Sequence, residues 1–403
     1  MEKPSTLLAC LRWDPSGDER LRGLGADDWN RLWAIVQAGA GQALLARRLA
    51  LSGVRPPRDI ARQLRTDIMS VIGRNLAGRN TLATTVRATG KPALLLKGVD
   101  LDERLYGNIG LRRMSDVDFL VRVGDVAAYD AHLRRQGYQP TPHPTKAIVV
   151  SDNHCNAQYR AEGTRKLPLE LHWRLANDSW SRSVDEEGIW ARAIPHPQFA
   201  PDAHVMAPED LVLYLCLHLK HHTFGTPLTQ IWDLAEIVRS SSFAVDWPTV
   251  RARAREWRLT EALGIALYMV SDVLGVSTRH ACDWTPAPAV TMLLPDIMSN
   301  LGRFPRVENV TSWRLSYFLS SQSGWRERCR ALKDGVLPPR AEIRARYGRP
   351  QDALWNDCVS YLCRWRYLAR MWGGVFRQWL AGEPTVKRHI ERAAALRRHL
   401  DAG

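Results

Sequence analysis

Two carboxylates, Asp116 and Asp118, stand one residue apart in the apolar run "DVDFLV". Read as a strand, the run turns Val117, Phe119 and Val121 to one face. Asp116 and Asp118 then share the other, about 7 Å apart at Cα. Like charges at that spacing repel each other, and a divalent cation reverses the sign. Mg²⁺ takes oxygen ligands, usually one or two protein carboxylates, with phosphate oxygens filling the rest. A second stretch, "LPLELHW", puts Leu167, Leu169, Leu171 and Trp173 on one face and Glu170 and His172 on the other. Set beside the first strand, Glu170 supplies a third acid. Three carboxylates hold two metal ions about 4 Å apart, an arrangement used for in-line phosphoryl transfer. His172 shares the face of Glu170, where it either orients an acid, touches phosphate or sits as a satisfied interior histidine.

An Asp-x-Asp pair alone also suits a solvated strand face, so its surroundings matter. Upstream, "LLLKG" reads as a strand followed by Lys97 and Gly98, with Gly98 opening a helix. A glycine at a helix start lets backbone N–H groups approach phosphate, and Lys97 adds a point charge. Arg112, Arg113 and Ser115 lie just before the Asp pair, placed either for phosphate or, in the case of the arginines, for surface salt bridges. Further on, "CLHLKHH" spaces His218 and His222 four apart on one helix face, a spacing that can grip a metal or line a pocket. There is no HExxH pattern, since position 219 is Leu. Asp233 in "IWDLAEI" is expected on a facing helix, paired with one of these histidines or part of a nucleotide pocket. In "NHCN" (Asn153–Asn156), neighbouring Cys and His would point oppositely on a strand, which argues against a Cys-His nucleophile.

The elements that must position these residues fall into three blocks. The first, 1–90, is helical: apolar spacing predicts one helix over Asp27–Gly53 and another over Arg58–Ala88, separated by Pro56 and Pro57. The second, 91–206, alternates. Strands are expected at Ala93–Lys97, Asp116–Val121, "KAIVVS" and "LPLELHW", and helices over "VDLDERLYG" and "VGDVAAYDAHLRRQGY", the latter stopped by Gly137. The third, 207–403, is helical from Pro208, with Glu209 and Asp210 in a first turn where the helix dipole favours them. Pro-rich loops are expected at Trp284–Pro288 and Leu337–Pro339. Trp365, Trp372 and Trp379 recur every seven residues, a packing stripe or, as the minority reading, a base-stacking platform.

The composition, 45% hydrophobic and 24% charged in 403 residues, is that of a folded chain. No apolar run is long enough to span a membrane, and no secretion signal is evident. Seven cysteines, an odd and scattered set without CxxC, fit free thiols in a reducing cytoplasm. The net charge is +14, with 17 Lys or Arg against 8 Asp or Glu from Arg326 to Gly403. This either attracts an anionic partner or reflects solvated helix faces.

Taken in order, "LLLKG…LY…LRRMSDVDFLV", "RRQGY", "LELHW", "PEDLVLYLCLHLKHH…LTQIWDLAEIV" and "LPPRAEIRARYG" resemble an uncharacterised bacterial nucleotidyltransferase-like family of the DNA polymerase β superfamily. The resemblance covers most of the chain. It implies an α+β fold: a polymerase-β-like core of a small mixed sheet with helices, flanked by an N-terminal helical segment and a large helical C-terminal half. It also implies Mg²⁺ (two ions, or Mn²⁺) and a nucleoside triphosphate such as ATP. Asp116 and Asp118 match the family's metal-binding pair, and Glu170 its third acid. Two departures stand out. Val99 replaces the Ser of the usual Gly-Ser, although toxin-associated relatives also use Lys-Gly, and Glu170 replaces the commoner Asp.

The expected activity is transfer of a nucleoside monophosphate from an NTP to an acceptor, with release of pyrophosphate. Asp116, Asp118 and Glu170 would be catalytic and metal-binding. Lys97, Gly98, Arg112, Arg113, Ser115 and His172 would be nucleotide-binding, and His218, His222 and Asp233 would line the pocket. The acceptor is a peptide, a small metabolite or a tRNA. Two rivals stay open: a phosphotransferase on the same metals, and a non-catalytic nucleotide- or RNA-binding protein.

Overall fold

The structure is a computed structural model. It describes residues 7, 9–107, 110–141, 155–161, 166–175, 183–222, 224, 228–292, 294, 354–384 and scattered positions elsewhere in 333–400. The candidate strand "KAIVVS" and most of "LPPRAEIRARYG" lie outside the described residues.

The N-terminal helices are α1 (Pro15–Arg22), α2 (Ala26–Ala38), α3 (Gln42–Ser52) and the long α4 (Arg58–Thr89). The single helix expected over Asp27–Gly53 is two. Its apolar phase is continuous, but the Gly39-Ala40-Gly41 link breaks it. Ala40 takes φ 55°, and Gly41 N–H turns back to the Val36 carbonyl at 2.8 Å. Glycine's low helix propensity makes that break inexpensive.

The middle of the chain forms one seven-stranded mixed sheet, ordered β3-β4-β5-β2-β1-β7-β6. Its strands are β1 (Ala93–Leu95), β2 (Val117–Leu120), β3 (Tyr138–Thr141), β4 (Asn156–Ala161), β5 (Leu169–His172), β6 (Ile194–Pro195) and β7 (Ala203–Val205). The short helices α5 (Gly98–Arg104), α6 (Val126–Arg135) and α7 (Glu186–Ala191) connect them. The strands around the Asp and Glu residues sit where their alternation predicts, trimmed at each end. Polar β3 and β4 and the two- and three-residue β6 and β7 carry little apolar patterning, and pairing alone defines them.

Each sheet face has its own core. Val117, Phe119, Leu95, Leu169 and Leu171 pack beneath α4 and α6 through Leu82, Val86, Tyr129 and Leu133. Leu94, Leu96 and Leu120 face the other way, into a larger core. That core joins the N-terminal helices to α8 (Pro208–His221), α9 (Leu228–Arg239), α10 (Trp247–Glu256) and α11 (Thr260–Leu274). The expected Pro-rich loop ends in a helical turn, α12 (Pro288–Thr291), and α13 (Leu354–Leu380) follows. On α13, Trp365 is 43% exposed, its ring 6.3 Å from that of Tyr361, and its Nε1–H donates to the Val336 carbonyl at 3.0 Å; the side chains of Trp372 and Trp379 lie outside the described residues. Among the described residues no helix is long and apolar enough to cross a membrane.

Helix α4 lies close on β2 at Gly78, where an added Cβ would fall 2.7 Å from the buried Val117 Cγ2. Gly73, one turn earlier and exposed, has nothing within 4 Å of the same position. Gly78→Ala should therefore destabilise the fold by about 1–3 kcal/mol through overpacking. Gly73→Ala should stabilise it by up to about 1 kcal/mol. Urea-unfolding midpoints of the two variants check this, and equal shifts would contradict the close approach.

Candidate active site

Strands β2 and β5 run parallel with Asp118 opposite Glu170 and Leu120 opposite His172. Because side chains alternate, this register brings Asp118, Glu170 and His172 onto one face, the face covered by α8. Their ligand atoms all lie within 4.8 Å of one another. His172 Nε2 is 3.1 Å from Asp118 Oδ1 and 3.9 Å from Glu170 Oε2. Asp116 precedes β2, half-buried beside the cluster, and accepts a 2.9 Å hydrogen bond from Ser115 Oγ. Asp116, expected as a ligand beside Asp118, lies near enough to this group to feel the charges of Asp118 and Lys97.

Lys97 reaches the cluster from the end of β1, its Nζ 3.4 Å from Asp118 Oδ1. It enters α5 with φ 43°, a conformation costly for a residue with a side chain. Next to it, Gly98 fits because a Cβ there would meet Met114 at 2.6 Å and the Arg112 guanidinium at 2.7 Å. From above, α8 contributes buried Tyr214, close enough to the Lys97 ammonium for the two groups to shift each other's pKa.

Electrostatics follow from these contacts. Burial alone would lower the Lys97 pKa, but Asp118, Tyr214, Asp116 and Glu170 outweigh it and keep the ammonium charged. Burial would raise Asp118, yet Lys97 and His172 hold it well below the usual carboxylate range. Burial, reinforced by Asp118 and Asp116, pushes Glu170 up to about 7, against the pull of His172 and Lys97. Asp116 is raised by burial and by the Asp118 charge. The cluster therefore contains one firmly ionised acid, and Glu170 is poised to gain or lose a proton near neutrality.

The remaining predicted residues divide. His218 lies near enough to Lys97 and Asp118 to feel both charges. Burial and Lys97 depress its pKa well below normal, and its neutral ring donates Nδ1–H to Gln230 Oε1 at 3.1 Å. The His222 ring sits 4.5 Å from that of His218, at the outer end of α8. Arg113 is exposed. Arg112 is not at the cluster. It is buried and forks onto Asp233 of α9 at 2.9 and 3.1 Å, with Tyr106 Oη donating to the same carboxylate at 2.7 Å. Asp233 thus pairs with Arg112 and Tyr106 and not with a histidine.

Two contributors escaped the sequence reading. Asn156 of β4 donates its side-chain amide to Glu170, and the "NHCN" motif drew attention only to Cys and His. Tyr214 reads as one more apolar position of α8. Its signal was the four-residue step to His218, which puts both on one helix face.

The Arg112–Asp233 pair is buried on both sides. Arg112→Met should cost about 3–5 kcal/mol by stranding the carboxylate, and adding Asp233→Leu should recover part of that loss. Chemical denaturation of the single and double variants checks the coupling, and strict additivity would contradict it. Next to this pair, fully buried Asp102 accepts from Asn75 Nδ2 at 3.0 Å, and its Oδ1 has no partner. Burial pushes its pKa up to about 8 despite Arg112 and Arg79. The folded state then holds a proton that the unfolded state releases near pH 4. The stability this confers is full below about pH 4 and is lost as pH rises toward 8. Asp102→Asn should flatten the fall in unfolding free energy across that window. An unchanged slope would place the titration elsewhere.

Residues 25–275 match the family described as uncharacterised nucleotidyltransferase. No curated protein matches the chain. The matched segment holds every cluster residue, from Lys97 on β1 to Tyr214 and His218 on α8, and takes in more than half of the 403 residues. On that match the chain belongs to the uncharacterised nucleotidyltransferase family.

Proposed function

We propose that the chain transfers a nucleoside monophosphate from a nucleoside triphosphate to an acceptor hydroxyl, phosphate or amine, releasing pyrophosphate. The observation that carries this reading is the buried Asp118–Glu170–His172 cluster with Lys97 laid against it, within the segment that matches the family. Two carboxylates and an imidazole in one buried cluster form a donor set that fits a divalent cation, with Asp116 beside it as a further carboxylate. Asp118, Glu170 and His172 would hold the ion, and Asp116 would share a second one. When bound, the metal neutralises phosphate charge and activates the acceptor oxygen.

The chain's own groups do the rest. The Lys97 ammonium, kept charged by its acids, is the cation available to triphosphate oxygens. Ser115 orients Asp116, and Asn156 orients Glu170. Glu170 serves either as a ligand of the ion or as the carboxylate that accepts the acceptor's proton. Helix α8 covers one side of the cluster with Tyr214 and His218. Arg112, committed to Asp233, acts as a structural tie that holds the loop before β2, and leaves exposed Arg113 as the arginine free to reach phosphate. The acceptor class is a peptide, a small metabolite or a tRNA.

Calorimetric titration with ATP, GTP, CTP and UTP should show binding that needs Mg²⁺ or Mn²⁺ and is lost in Asp118→Asn and in Glu170→Gln. Lys97→Met should weaken it about tenfold or more, the scale of one charge-assisted contact. If adding Mg²⁺ or Mn²⁺ brings no binding event beyond what the metal-free chain shows, or if that added event survives Asp118→Asn, the proposal is overturned. Product mass then separates nucleotidyl from phosphoryl transfer.

A further inference from the structure

A cavity lined by none of the acid-cluster residues lies between α10, α11 and the loop that follows α11. Its volume is about 410 Å³, within the range of small-molecule pockets. Arg251 and Arg255 of α10 and Arg279 of the loop line it, together with His280 and a single carboxylate, Asp283. Among the described residues no carboxylate forms an ion pair with any of the three arginines. Arg251 is held in place by donating to the Ala281 carbonyl at 2.9 Å. Thr260, at the start of α11, also lines the cavity, and no side chain caps that helix end. Its first N–H groups add positive potential on the same side.

The wall is built for a flat group. An added Cβ at Gly264 would fall 2.3–2.4 Å from Cγ, Cδ2 and Cε2 of Trp284, so the indole lies face-on across the α11 backbone. Its Nε1–H points to Glu261 Oε1 at 3.4 Å. Trp284 is thereby fixed as a platform, while Ala254 and Leu263 supply apolar floor. Guanidinium forks match phosphate geometry, and an immobilised indole stacks on a planar ring.

We infer that this cavity binds a nucleotide unit, with its phosphate on Arg251, Arg255 and Arg279 and its base on Trp284, independently of the acid cluster and of any metal. Among the described residues the cavity has no carboxylate pair to hold a divalent ion, and it uses none of the residues assigned to transfer. Helix α8 packs against α10 and α11 on one side and supplies Tyr214 and His218 to the acid cluster on the other. The occupant is either a free mononucleotide or one residue of a single strand. The two share this chemistry and differ in what extends beyond the cavity.

The test is calorimetry on the full chain in EDTA, with AMP, inorganic phosphate and a short single-stranded RNA as probes. AMP should bind wild type and Asp118→Asn alike, and inorganic phosphate about tenfold more weakly, the scale of one stacking contact. Trp284→Ala should bring AMP down to the level of phosphate. Arg279→Glu, at an exposed position where circular dichroism should show the fold intact, should weaken both by about tenfold or more. RNA binding much tighter than AMP, with the same dependence on Arg279, assigns the cavity to a strand; equal affinity assigns it to a free mononucleotide. AMP binding that is absent in EDTA, lost in Asp118→Asn or indifferent to Arg279→Glu would overturn the inference. Because it is read without metal, its failure is distinct from failure of the transfer reading.

Discussion

The site depends on one electrostatic constraint: Asp118 is buried and ionised, and the charge that permits this is Lys97. A carboxylate taken out of water is costly unless it is paired and hydrogen-bonded. Here an ammonium at 3.4 Å and an imidazole at 3.1 Å provide both. The neighbouring architecture serves that balance. The parallel β2–β5 register puts His172 and Glu170 within reach of Asp118, and α8 roofs Lys97 with Tyr214. Glu170 adjusts by holding its proton to higher pH, so the cluster does not carry three full negative charges at once.

A second buried pair has a different task. Arg112 and Asp233 tie the loop before β2 to α9, and thus the sheet to the helical half of the chain. Tyr106 donates to the same carboxylate from just beyond α5, so three separate segments meet at one group. Such a network specifies a single packing more than it adds stability, because each member is satisfied only when the others are in place.

Alternation along "DVDFLV" and "LELHW" made the cluster face legible, because a period of two is visible in a single segment. The pairing of those two segments, which a single chain segment does not encode, is what the structure adds. Arg112 and Arg113 look alike in sequence. One is buried against Asp233 and the other exposed, a difference set by a partner 121 residues away. Asp233 was expected beside a histidine or in the nucleotide pocket, and its partners in the structure, Arg112 and Tyr106, lie more than a hundred residues earlier in the chain. The "AGAG" break at Gly39–Gly41 shows the converse failure. Apolar phase continued through a link that backbone propensity interrupts. Strands β3 and β4 carry too little apolar contrast to be read alone, and with them went the Asn156 contact to Glu170.

The backbone at Lys97 carries one more implication. With φ at 43° and ψ at −110°, the position suits glycine on conformational grounds, while its chemistry demands a long cationic side chain. The two requirements cannot be met by the same residue. Glycine would relax the turn and leave Asp118 uncompensated. Arginine would keep the charge with a bulkier head under Tyr214, and without relief of the backbone. Substitution at this position therefore has no neutral direction, and drift should collect instead in the groups around it that tune the ammonium without supplying it.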